Sequence, residues 1–287
     1  MSRSEVLVDA DWLLSNIDRP DVVVVEVDED VSVYDDGHIA GAVRFDWQND
    51  LQDPVRRDLI GPVAFADLLG RNGISPSTTI VLYGGNNNWF ASYAYWYLKL
   101  YGHEHAVLLD GGRKRWELDD LPMTTEVVER APVFYPVPTE NSALRAKRDA
   151  VVELIGTADL LDARSTDEYA GRLLAPAHLP QEHSQRAGHV PTAINIPWSQ
   201  TANDDGTFRS DDELRAIYDG NGVSGDKTVV TYCRIGERAA HSWFVLHELL
   251  GYPDVRNYDG SWTEYGSLIG VPVQLGDAPG SAVGGVA

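Results

Sequence analysis

The strongest constraint on this chain is that it is written twice. Ile80-Val-Leu-Tyr-Gly-Gly in the first half resembles Val229-Val-Thr-Tyr-Cys-Arg in the second, which sets Tyr83 and Tyr232 149 residues apart. The same offset carries Asp110-Gly111 onto Asp259-Gly260 and Trp116 onto Tyr265. A nearly equal one carries Gly37-His-Ile-Ala-Gly-Ala onto Gly188-His-Val-Pro-Thr-Ala. Separate blocks in one order and one register mean a tandem duplication. Each copy within the 287 residues is then close to the usual size of a domain with its own core.

Within each copy, short apolar runs alternate with helical patterns. Val22-Val-Val-Val-Val, Thr79-Ile-Val-Leu-Tyr, Ala193-Ile-Asn-Ile and Thr228-Val-Val-Thr-Tyr read as buried parallel strands. Trp89 to Leu100 and Ala239 to Leu250 read as amphipathic helices. The expected fold class is α/β, two tandem domains, each a mainly parallel sheet flanked by helices. The expected divisions are a first domain over 1–125, a linker over 126–143 and a second domain over 144–275. The linker holds three prolines, and the Gly-Ala-Ser-rich end, 276–287, reads as a disordered tail.

Composition closes off other classes. The net charge of −21 speaks against nucleic acid, which needs clustered Lys and Arg. No run of eighteen apolar residues is present, so no membrane span is expected. The start, Met1-Ser-Arg-Ser-Glu, lacks an apolar core and a cleavage site, and a cytoplasmic protein is expected. One cysteine, Cys233, leaves no internal disulfide and no multi-cysteine metal site. The charge is carried by 29 Asp and 15 Glu against 19 Arg and only 4 Lys. That balance suggests a surface adapted to high salt, a GC-rich genome being the other source of arginine over lysine.

Cys233 follows the strand Thr228 to Tyr232, and Arg234-Ile-Gly-Glu-Arg238 leads from it into the helical stretch. The carboxyl end of a strand is where open α/β sheets bind ligands. Free N–H groups at the helix start favour an anion there. With Arg234 and Arg238 adding charge, a depressed thiol pKa and a reactive thiolate are expected. Gly236 lets the loop turn without a side chain in its concave face.

These residues carry a resemblance. Cys-Arg-Ile-Gly-Glu-Arg after an apolar strand, with Gly188-His-Val-Pro upstream and Tyr258-Asp-Gly-Ser-Trp-Thr-Glu-Tyr-Gly downstream, resembles the tandem-domain rhodaneses. Tyr83-Gly-Gly-Asn-Asn-Asn-Trp-Phe and Leu109-Asp-Gly-Gly-Arg-Lys-Arg-Trp belong to the same pattern, which runs from residue 5 to about 275. The resemblance implies a thiosulfate sulfurtransferase of the bacterial and archaeal type, with the second domain catalytic and the first an inactive copy. Gly84 holds the cysteine's place in that copy. The implied chemistry is attack by Cys233 on the outer sulfur of thiosulfate, release of sulfite, and a persulfide emptied by cyanide or a thiol acceptor. Small molecules are thus the expected partners, with no cofactor and no metal, while the oligomeric state is left open. Arg234, Ile235, Gly236, Glu237 and Arg238 would form the anion cradle.

The resemblance also places Arg164, in Leu161-Asp-Ala-Arg-Ser, at the mouth of the site as a substrate contact. Some members carry a further arginine where this chain has Glu168, and Arg186 is a candidate for that missing charge. Glu237 reads as a partner for Arg238 rather than a catalytic acid. His178, His183 and His189 share no helix face and are not expected to hold a metal. Three alternatives stay open. Mercaptopyruvate-type enzymes usually carry Cys-Gly-Ser-Gly loops with fewer charges. Phosphatases or arsenate reductases of this fold place five residues, not four, between cysteine and arginine. A non-catalytic sulfur carrier is the third.

Overall fold

The β-branched runs become parallel strands in the computed structural model, which describes residues 2–176 and 183–282. Nine strands are present among the described residues: β1 (Leu7–Val8), β2 (Val22–Glu26), β3 (Val43–Arg44), β4 (Thr79–Tyr83), β5 (Ala106–Leu109), β6 (Asp159–Asp162), β7 (Ile194–Asn195), β8 (Val229–Tyr232) and β9 (Val255–Asn257). The first sheet runs β1-β5-β4-β2-β3 and the second β7-β6-β8-β9, every pair parallel. Read from its other edge, the second repeats β5-β4-β2-β3. Valines at 22–25 and 229–230 are buried, as strands covered on both faces require.

The duplication extends to single hydrogen bonds. The Tyr83 hydroxyl accepts the Ile39 N–H at 3.0 Å, and the Tyr232 hydroxyl accepts the Val190 N–H at 3.2 Å. Tyr34 stacks on His38 with ring centroids 3.7 Å apart, and Tyr169 on His189 at 3.6 Å. Both tyrosines donate to a backbone carbonyl, of Ala42 and Ala193, at 2.7 Å. Each copy encloses its own core, around Val22, Val81 and Trp116 in one and Val151, Val230 and Trp262 in the other.

The divisions expected from the sequence shift in two places. The chain forms two compact units, Met1–Asn141 with Ala202–Phe208, and Ser142–Thr201 with Arg209–Ala287. Residues 126–141 thus belong with the first unit, because their backbone is bonded to it. The Val133 N–H meets the Gly70 carbonyl at 2.9 Å and the Asn141 N–H meets that of Leu100 at 2.7 Å. Ala202–Phe208 joins the same unit through Arg115, whose guanidinium lies 2.8 Å from Asp205, and through the Phe208 N–H on Asp110 at 2.9 Å. Hydrophobic patterning does not register such polar strapping.

The expected tail is also tied down at its start. The Gly276 N–H reaches the Ala170 carbonyl at 3.1 Å and the Thr192 N–H reaches that of Pro279 at 2.6 Å. Residues 283–287 lie outside the described residues. The helix expected over Ala239 to Leu250 begins earlier, as Glu237–Trp243, and continues as a π-helical stretch, Phe244–Leu249. Among the described residues, no helix is long and apolar enough to cross a membrane.

Candidate active site

Cys233 leaves the carboxyl end of β8 and the helix Glu237–Trp243 starts four residues later, with the loop between them pinned from one side. The Cys233 N–H donates to Ser261 Oγ at 3.0 Å, and Ser261 Oγ donates to the Tyr258 carbonyl at 2.7 Å. The N–H groups of Trp262 and Thr263 meet the carbonyls of Cys233 and Arg234, both at 3.0 Å. Asn257 Nδ2 donates to the Gly236 carbonyl at 3.2 Å. Gly236 has φ +99°, and a Cβ there would fall 2.7 Å from Asp259 Cα, so glycine is required. Asp259 is itself gripped by Arg145 through two bonds of 2.8 Å. The Asp-Gly-Ser-Trp block is therefore the loop's anchor.

The Cys233 sulfur is fully buried, against Ala163 and Ala239 with Trp198 packed over them. It accepts the Gly236 N–H at 3.2 Å and donates to Glu237 Oε2 at 3.2 Å. The Ile235 N–H donates to that same oxygen at 3.3 Å. The expectation of a depressed thiol pKa is not met. Burial pushes the thiol up to about 11 and Glu237 pushes the same way, while Arg238 and the Ala239 N–H pull against them. Burial and the neighbouring carboxylate both favour the thiol over the thiolate here.

The expected cations explain why. Arg238 places its fork on Glu168, at 2.8 and 2.9 Å, both side chains being buried. Burial works against the Glu168 carboxylate, yet the bonds and charge of Arg238 hold it below its ordinary value. Glu168 also accepts the Ser165 N–H at 3.1 Å in a capping box. The apparent departure at 168 is thus the partner of the loop arginine. Arg164, expected at the mouth, is 1% exposed. Its guanidinium sits on Asp162 at 2.6 Å and on the Gly188 carbonyl at 2.7 Å, and lies 4.7 Å over the Trp262 ring. Spacing located both arginines but could not show that each had a carboxylate waiting.

Arg234 and Ile235 are buried in the loop. Arg186 is exposed, its guanidinium on the Gln185 carbonyl at 2.8 Å, while its own carbonyl accepts from Trp262 Nε1 at 2.9 Å. His189 has its ring nitrogens on the carbonyls of Tyr169 and Ala278, at 2.8 and 3.2 Å, and His178 lies outside the described residues. Ser261, Asn257, Asp259, Arg145 and Asp162 were missed as site residues. The Asp-Gly-Ser-Trp block was the visible signal for Asp259 and Ser261, and Leu161-Asp-Ala-Arg-Ser for Asp162.

A strand-to-helix loop that bends its backbone N–H groups around a buried cysteine, on a duplicated parallel-sheet domain, defines a class of sulfur- or anion-handling proteins. The sequence matches the family described as rhodanese-like domain over residues 9–119 and 147–268, and the chain belongs to that family. A protein of Mycolicibacterium smegmatis named "Putative thiosulfate sulfurtransferase" is 59% identical over 276 residues, 96% of this chain and 100% of that one. A Thermus thermophilus protein named sulfur carrier protein TtuD is 52% identical, covering 95% and 98%. Among solved structures, a 3-mercaptopyruvate sulfotransferase of Escherichia coli superposes with a TM-score of 0.77 at 31% identity, covering 89% of this chain and 98% of that one.

Proposed function

We propose that this protein is a thiosulfate sulfurtransferase, with the second copy catalytic and the first an inactive relative. Cys233 attacks the outer sulfur of thiosulfate, sulfite leaves, and the persulfide passes its sulfur to cyanide or a thiol. The carrying observation is the buried sulfur at the head of the helix Glu237–Trp243 with the Gly236 N–H on it, an arrangement suited to a sulfur anion. The loop N–H groups of Ile235 and Gly236, with Arg234 beside them, form the cradle, and Arg164 and Arg238 hold its walls. As the chain has one cysteine, no second thiol can resolve the persulfide internally. An external acceptor, in the cytoplasm by the sequence reading, has to take it.

The 52% identity to a protein named as a sulfur carrier favours one second reading, in which the chain holds sulfur as a carrier rather than turning it over as an enzyme. One assay separates the possibilities. The protein is incubated with thiosulfate, 3-mercaptopyruvate or a phosphate ester, then with cyanide, and intact mass is followed. Thiosulfate should add one sulfur atom and cyanide should remove it. A higher kcat/KM for mercaptopyruvate overturns the donor assignment, and a persulfide that cyanide cannot remove favours the carrier.

A further inference from the structure

The loop contains a carboxylate in contact with the reacting sulfur, and on the thiosulfate reading above that contact has a task. We propose that Glu237 is the proton acceptor for Cys233, taking the thiol proton as the new sulfur–sulfur bond forms and returning it when the persulfide is emptied.

Four observations converge on Glu237 Oε2. It is 3.2 Å from Sγ and in line to accept its proton. The Ile235 N–H donates to the same oxygen at 3.3 Å, which fixes that oxygen toward the sulfur. Glu237 and Cys233 are both buried, so bulk water does not reach the proton in this closed arrangement. Finally, a sulfur that rests as a thiol needs a base before it can attack, because the thiolate is the nucleophile. The charged groups around the pair are Arg238, whose Nε is 3.6 Å from Glu237 Oε1, then Glu168 on the far side of Arg238, and Arg234 in the loop. Arg238 is thus shared between two carboxylates, one capping the helix Thr166–Ala170 and one touching the thiol.

The step balances without any further reagent. Glu237 takes the proton from Sγ, and the electron pair left on Sγ forms a bond to the outer sulfur of thiosulfate. The bond between the two thiosulfate sulfurs breaks, and its pair leaves on sulfite. The proton passes from Glu237 to the terminal sulfur of the persulfide. When cyanide attacks that sulfur, thiocyanate departs, the bonding pair returns to Sγ, and the proton returns with it through Glu237. Burial first and the Glu237 charge second oppose a free thiolate, but the same carboxylate lowers the barrier when transfer and attack are concerted. Between turnovers the sulfur stays protonated.

The test is single-turnover sulfite release from thiosulfate, followed from pH 6 to 10 for the wild-type protein, Glu237→Gln and Glu237→Asp. Circular dichroism and urea unfolding confirm that each variant is folded. Glu237→Gln should be slower by about a hundredfold near neutrality, the low end of a general base's contribution. Its rate should then climb with pH as the thiol itself ionises. Glu237→Asp keeps a carboxylate, set back from the sulfur, and should give an intermediate rate with the wild-type pH profile. A Glu237→Gln protein as fast as wild type, or slowed equally at every pH, overturns the proposal. Should Glu237→Gln fail to fold, an aspartate variant whose rate climbs with pH overturns it instead. A wild-type protein that releases no sulfite overturns the thiosulfate reading, a separate failure.

Discussion

The two copies begin their central loops at equivalent points, the carboxyl ends of β4 and β8, and then diverge. In the second copy the loop bends its N–H groups toward the sulfur of Cys233 and the carboxylate of Glu237. In the first, the equivalent space is filled by the chain itself. A Cβ on Gly84 would fall 2.1 Å from the Val27 carbonyl oxygen. The Gly84 N–H is taken by Asn88 Oδ1 at 3.0 Å and the Gly85 N–H by Asp28 at 2.5 Å. Asn86, Asn87 and Asn88 all adopt the left-handed conformation, which asparagine tolerates best among residues with a side chain. The first copy therefore lacks more than a cysteine. Its backbone has closed onto the place where one would stand.

Away from the loop, the copies solve the same problem with different residues. Arg164 bonds Asp162 and the Gly188 carbonyl in the second copy. In the first, Arg113 bonds Glu26 and the Gly37 carbonyl, the latter at 2.7 Å. Gly37 and Gly188 are repeat equivalents, yet the arginines come from different elements. A latch present also in the copy without a cysteine serves the fold, which argues against a substrate contact for Arg164.

The largest effect should come from the cysteine. Cys233→Ser should abolish sulfur loading, read as the loss of the one-sulfur mass increase, because an oxygen cannot hold a persulfide and a hydroxyl is a far weaker acid and nucleophile than a thiol. Gly84→Cys in that background should not restore it, since the new side chain has no room. Turnover in the double variant would break the comparison of the two loops.

Next is the buried pair behind the Cys233 loop, whose Arg238 falls where the first copy has Trp89. Arg238→Ala should lower stability in urea unfolding by about 3–5 kcal/mol, because it strands the Glu168 carboxylate inside the protein. The pairing with Glu168 places the larger effect of this substitution on folding rather than on persulfide formation. Replacing Arg238 and Glu168 together with methionine should cost less than the two single changes summed. An Arg238→Ala protein of wild-type stability but without sulfite release would return the arginine to the substrate.

A third difference concerns acid. In the first copy His103 donates to the Thr78 carbonyl at 3.0 Å and accepts from Tyr135, and burial lowers its pKa from 6.5 to about 4. In the second copy Tyr252 meets the Val223 carbonyl at 3.0 Å, and burial raises its pKa to about 12. The unfolded chain protonates His103 first as pH falls, so its contribution is complete above pH 6.5 and declines down to about 4. The loss amounts to about 3 kcal/mol over that window. His103→Gln should remove this component from urea midpoints measured against pH, and an unchanged slope would break the assignment.

The smallest effect sharpens the latch. Arg113→Lys and Arg164→Lys should each cost about 1–2 kcal/mol, since lysine cannot reproduce a fork's paired bonds. Neither should alter KM for thiosulfate. A rise in KM confined to Arg164→Lys would make that residue a substrate contact after all.

Much of this was legible in the sequence. The offset of 149 fixed two copies, the β-branched runs fixed parallel sheets, and Cys233 after Tyr232 marked the candidate site. These are local or periodic properties, and burial acts on them position by position. Tertiary structure decided which charges remain available. Arg238 and Glu168 are 70 residues apart, and Ser261 reaches Cys233 across 28. A charge counted along the chain says nothing of its partner, and inside a protein the partner settles whether an arginine meets a substrate or a carboxylate. The sulfur's protonation was decided in the same way. The sequence showed two cations and a helix start beside it, whereas the fold removed the water and set a carboxylate against the thiol, and desolvation outweighs the attraction of a cation already paired.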